Sequence, residues 1–138
     1  MKKEITLEAK IENLDEVLDF VNAELEAVDF PMKTIMQIAI AVEEIFVNIA
    51  YYAYKPGSGN VTMRISADAG AVIEIEDSGK PFNPLEKEDA DITKSVEERE
   101  IGGLGIFMVK KIMDSVDYKN EDGKNILTIR KALAFSST

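Results

Sequence analysis

The spacing of hydrophobic positions changes several times along the chain, and each change marks an element. From Lys3 to Ala9, Ile5, Leu7 and Ala9 alternate with Glu4, Thr6 and Glu8, the period of a half-buried strand. At Asn13-Leu14-Asp15 the period lengthens, and Leu18, Val21 and Leu25 fall on one helical face. Pro31, following Asp29, stands at a helix start. A long helix rich in Ile, Ala, Val and Phe is predicted from there to Tyr54, ended by Pro56-Gly57-Ser58-Gly59. Two strands, Asn60 to Ala67 and Ala71 to Glu76, turn through Asp68-Ala69-Gly70. From Gly79 to Glu100 apolar periodicity fades, charges gather around Pro81 and Pro84, and a long mobile loop of lid type is predicted. Helical spacing returns from Gly102 to Met113 through Leu104, Met108 and Ile112. Strands at Ser115 to Asn120 and Lys124 to Ala132 follow, turning at Glu121-Asp122-Gly123.

The order β-α-α-β-β-loop-α-β-β predicts an α+β sandwich with helices on one sheet face. A single domain is expected over residues 1–134, with 135–138 as a frayed tail. At 138 residues and 46% hydrophobic, the chain can bury a core without staples. No apolar run is expected to reach membrane-spanning length, and Met1 to Leu7 does not read as a signal peptide.

Absent residue types narrow the chemistry. Without cysteine there is no disulfide, thiolate metal site or thiol nucleophile, which suits a cytoplasmic location. Without histidine, imidazole acid–base chemistry and a Ser-His-Asp triad are excluded. Carboxylates, amides, hydroxyls and backbone must therefore carry any reaction. The formal charge of −10 disfavours nucleic acid, and serves either solubility or an acidic face for a basic protein.

Three motifs remain. Glu44 and Asn48 lie four apart on the long helix and share a face. An amide oxygen there suits Mg²⁺, and a carboxylate one turn away suits a general base; an ordinary polar helix edge reads the same way. Asp77-Ser78-Gly79-Lys80-Pro81-Phe82 follows an apolar strand. Its Asp can accept a hydrogen bond from an exocyclic amine, and Gly79 permits close backbone approach, although the same residues also build surface turns. Gly102-Gly103-Leu104-Gly105 opens the next helix, where backbone N–H groups can face phosphates or simply form a hinge. Met108 breaks the dinucleotide fingerprint, and there is no Walker A sequence.

In order and spacing these motifs resemble the ATP-site boxes of the GHKL ATPases. Residues 44 to 54, 77 to 84 and 102 to 114 narrow the resemblance to the anti-sigma-factor serine-protein kinases of bacterial partner-switching modules. That resemblance implies a mixed sheet with helices on one face and ATP held between helices and lid. It implies Glu44 as general base, Asn48 as Mg²⁺ ligand and Asp77 as adenine reader. Gly79, Pro81 and Phe82 would lie beside the base, and Gly102, Gly103, Leu104 and Gly105 near the phosphates. The implied partners are a sigma factor and a small anti-sigma-factor antagonist, with a homodimer and no direct nucleic acid or membrane contact. Tyr52 stands where many members carry histidine, and Val47 replaces a common small polar residue. An ATP-gated binding module without kinase activity is the competing class.

Overall fold

The computed structural model describes residues 2–54, 57–81 and 103–132, with the backbone alone at 103–107. Residues 82–100 of the predicted lid, Phe82 among them, together with Gly102 and the tail at 135–138, lie outside the described residues.

Strand β1 spans Lys2–Glu8 and leads through a 3₁₀ turn at Ile11–Asn13 into helix α1, Leu14–Ala27. Asn13 ties this entry down by donating its side-chain amide to the Glu8 carbonyl at 2.9 Å. Helix α1 stops at a left-handed residue, Asp29 with φ 59°, and Phe30 N–H reaches back to the Leu25 carbonyl at 3.2 Å. That closure uses Asp where glycine is usual. Helix α2, Met32–Asn48, continues without a break into a wider π turn at Ile49–Ala53. The remaining elements are β2 (Asn60–Ala67), β3 (Gly70–Asp77), α3 (Gly103–Ile112), β4 (Ser115–Glu121) and β5 (Lys124–Ala132). Asp122 and Gly123, both at positive φ (54° and 78°), form the tight turn between β4 and β5.

The five strands run in the order β1-β2-β3-β5-β4, and every pairing is antiparallel. The expectation of a mixed sheet is thereby corrected. Two helices separate β1 from β2, so the chain re-enters the sheet at the end it left, with Asn60 opposite Glu8, and the pair is antiparallel. The single helix α3 returns β4 in the direction of β3, but β5 inserts between them and removes the parallel pairing.

Alternation along the strands sends Val61, Met63, Ile65, Ile73, Ile75, Leu127 and Ile129 to one face, all buried. Against them pack Val17, Val21 and Leu25 of α1, the Ile35, Ile38, Val42, Ile45 and Phe46 face of α2, and Val109 and Met113. Burying side chains of this size contributes about 1.5–3 kcal/mol each. The opposite sheet face is charged: Arg64 bridges Glu4 at 2.8 Å and Glu76 at 3.1 Å, and Lys124 reaches Glu76 at 3.6 Å.

One composition-based expectation fails. Helix and π turn together give Met32–Ala53, 22 residues that are long and apolar enough to cross a membrane. Here their apolar face is the one that covers the sheet, and Lys33, Glu43 and Glu44 interrupt the remainder.

Candidate nucleotide site

Glu44 and Asn48 lie one turn apart on α2, both half-buried, beside the buried Ile45 and Phe46. Neither side chain has a hydrogen-bond or ion-pair partner among the described residues. Burial, and secondarily the neighbouring Glu43 carboxylate, raise the Glu44 pKa above the usual glutamate value.

Beyond Asn48 the π turn changes what the helix end can do. It leaves the Ala53 carbonyl open to the Lys80 N–H, which donates to it at 2.9 Å. Gly79 sits directly against this turn. A Cβ there would fall 2.2 Å from the Ala53 oxygen and 2.6 Å from its carbonyl carbon. Glycine is thus required by backbone meeting backbone, which fixes the Asp77 turn against the helix that carries Glu44 and Asn48.

Tyr54 adds a second tie. Its hydroxyl donates to the Asn60 carbonyl at 2.6 Å and accepts the Ser78 N–H at 2.7 Å. Burial is the largest influence on this phenol and pushes its pKa up, which keeps the hydroxyl a donor.

Asp77 ends β3 and is 7% exposed. Its Oδ1 accepts the Gly79 N–H at 2.9 Å and the Asn125 Nδ2 at 3.0 Å. Asn125, opposite Asp77 in the β3–β5 register, also donates to the carbonyls of Lys80 at 3.0 Å and Gly79 at 3.3 Å. The Asn125 oxygen takes bonds from the Tyr118 hydroxyl (2.5 Å) and Asn120 Nδ2 (3.0 Å). Strand β5 therefore clamps the whole turn, and both bonds from described residues fall on Oδ1 of Asp77. Pro81 follows, exposed. Gly103, Leu104 and Gly105 form the first turn of α3, which packs against α2.

The sequence reading identified Glu44, Asn48, Asp77 and Gly79 but passed over Tyr54, Ala53 and Asn125 as parts of the site. For Asn125 a signal was present: it shares the inward phase of β5 with Leu127 and Ile129.

Asp77 carries a measurable consequence. Burial raises its pKa, outweighing the Asn125 and Gly79 hydrogen bonds that lower it. A raised folded pKa means the folded state holds the proton more tightly than the unfolded state. Stability contributed by this group is present below the ordinary aspartate value and lost as pH rises through the folded value. Asp77→Asn keeps an oxygen for Asn125 and Gly79 without the buried charge. At pH 7 its melting temperature in the absence of nucleotide is expected to equal or exceed wild type. Thermal scans of variant and wild type check this.

Residues 7–131 match the family described as the histidine kinase-like ATPase domain. The chain belongs to that family. A serine-protein kinase RsbW from Bacillus cereus is 29% identical over 103 residues, covering 71% of this chain and 64% of the relative. An RsbW from Bacillus mycoides is 30% identical over 93 residues, covering 64% of this chain and 58% of the relative. The match thus spans less than two thirds of either relative's length. Among solved structures, the RsbU and RsbW domains of a Mycobacterium tuberculosis protein superimpose with TM-score 0.69 at 15% identity, over 96% of this chain and 32% of that one. A histidine kinase domain from Erythrobacter litoralis gives 0.58 at 17% identity, over 88% and 60%. These two show the fold. Nucleotide use is the property that the family's description names.

Proposed function

We propose that this chain is an ATP-dependent serine/threonine protein kinase that phosphorylates a small anti-sigma-factor antagonist and, in the alternative complex, sequesters a sigma factor. The observation that carries this reading is the tie between helix and turn. The half-buried Glu44 and Asn48, unpartnered among the described residues, share one helix whose end is locked to the Asp77 turn through Gly79, Lys80 and Tyr54. The curated relatives named RsbW are serine-protein kinases, which supplies the reaction class.

In this reading Asp77 accepts the adenine amine, with Gly79, Pro81 and Phe82 beside the base. The N–H groups at the start of α3 (Gly103 to Gly105), together with Gly102, face the phosphates. The amide oxygen of Asn48 fits Mg²⁺, a hard ion that takes few protein ligands beside phosphates and water. When bound, that ion neutralises phosphate charge. Glu44 accepts the proton of the attacking serine or threonine hydroxyl as the new P–O bond forms, and ADP departs. Burial and Glu43 move this base toward neutrality, where proton transfer is most effective. The protein acts in the cytoplasm as a homodimer, away from nucleic acid.

The experiment is transfer of labelled γ-phosphate from Mg²⁺-ATP to proteins of the source cell. Labelling of one small protein on serine or threonine is expected. Confirmed ATP binding with no labelled acceptor, despite expression of candidate partners, would replace the kinase by an ATP-gated binding module.

Glu43 tests the base separately. Glu43→Gln removes one cause of the raised Glu44 pKa, so Glu44 ionises at lower pH. The acid limb of the transfer rate is expected to move to lower pH, with ATP affinity unchanged. A limb that stays in place would mean that another group takes the proton.

A further inference from the structure

Helix α2 turns a row of large apolar side chains away from the core. Met32, Met36 and Ile40 are 65%, 59% and 42% exposed and recur every four residues. They lie away from the buried Ile35, Ile38, Val42 and Ile45 face, and the same spacing runs on into Glu44 and Asn48, where the apolar row ends. At 1.5 Å per residue the row from Met32 to Ile40 is roughly 12 Å long, a little over two helical turns. An isolated exposed apolar residue is ordinary, but three large ones in helical register mark a contact surface.

Charge says what the contact is. Helix α1 packs beside α2 and has no basic residue. Glu12, Asp15, Glu16, Asp19, Glu26 and Asp29 are all exposed around it, and none is in an ion pair among the described residues. The acids on the sheet face differ: Glu4, Glu74 and Glu76 each have a Lys or Arg partner. The uncompensated charge therefore lies on the helix side, on the helix that packs against α2.

We propose that the outward face of the α1–α2 pair docks a basic amphipathic helix of a partner protein, its apolar stripe on Met32, Met36 and Ile40 and its Lys or Arg flank over the α1 carboxylates. Helix-in-groove recognition needs such a stripe, and methionine adapts its shape to the side chains it meets. A basic flank supplies steering and orientation. Charge also excludes two other occupants. A two-fold contact with a second copy would set one set of α1 carboxylates against another, which disfavours self-association through this face. An anionic bilayer is repelled for the same reason.

The test uses a labelled 18-residue peptide of leucine and lysine in helical register, with a leucine and glutamate peptide as control. Anisotropy measures binding to the full chain, and methyl NMR locates it. The basic peptide is expected to bind, with shifts at the Met32, Met36 and Ile40 methyls and affinity falling as salt rises. Met36→Ser combined with Ile40→Ser is expected to weaken binding at least tenfold while ATP binding, which reports an intact fold, stays unchanged. Asp15→Asn with Asp19→Asn is expected to weaken it and flatten the salt dependence. The proposal is overturned by absent binding, by equal binding of the acidic peptide, by shifts elsewhere, or by affinity that survives the double serine variant. It is also overturned if the same methyls shift on self-association or on anionic vesicles.

Discussion

Glu44→Gln is expected to lower phosphotransfer by about 10²–10⁴-fold, the range spanned by positioned general bases, while ATP affinity stays within about twofold. Glutamine preserves the length and shape of the side chain but cannot take a proton. Asn48 and Asp77, assigned to metal and adenine, are untouched. The two properties should therefore separate cleanly, with single-turnover transfer falling and titration of nucleotide remaining as before. Because burial and Glu43 disfavour the Glu44 anion, the variant is expected to be no less stable than wild type at neutral pH. Equal transfer by the variant would remove Glu44 from the reaction. Parallel loss of ATP binding would instead make it a binding residue.

The second large effect belongs to a residue with no functional group. Gly79→Ala places a carbon within 2.2 Å of the Ala53 oxygen and 2.7 Å of the Ala53 Cβ. Most of these atoms are backbone, so no side-chain rotation relieves the contact, and turn and helix end must move apart. The Lys80 to Ala53 hydrogen bond and the Ser78 to Tyr54 hydrogen bond are strained together. Overpacking of this kind costs about 1–3 kcal/mol, before any loss of those bonds. A fall in melting temperature of about 5–10 °C is expected at roughly 2–4 °C per kcal/mol for a domain of this size. Nucleotide affinity is expected to fall at least tenfold, because Asp77 moves with the turn. A variant with wild-type melting and affinity would show that the contact yields without consequence.

These two residues illustrate what the sequence makes legible. Glu44 and Asn48 are visible because their relation is local: four residues on a helix fix a shared face. Strands β2, β3 and β5 are equally plain, since alternation such as Val61, Met63 and Ile65 is a local pattern. Gly79 was noticed for its freedom to approach a flat ring, yet the atoms it meets belong to Ala53, far away along the chain. Nothing in Ile49–Ala53 announces a π turn, and Asp29 does not advertise the left-handed conformation that a glycine would. The antiparallel pairing of β3 with β5 depends on where a later hairpin inserts, which no local period encodes. Asn125 lies between these cases. Its inward phase is readable, but its partner Asp77 is 48 residues away.

The position of β5 has an implication for synthesis. The last of the five strands in the chain is not at the edge of the sheet but next to β3, inside β4. While a ribosome is still making residues 124–132, the backbone of β3 is an unsatisfied edge, and Asp77 is without the amide that orients it. Such an edge invites pairing with neighbouring nascent chains. If Asp77 reads the base as proposed, ligand capture waits on docking of the β4–β5 hairpin, and retention on an immobilised ATP analogue is expected to separate chains that include residues 124–132 from chains that stop short of them.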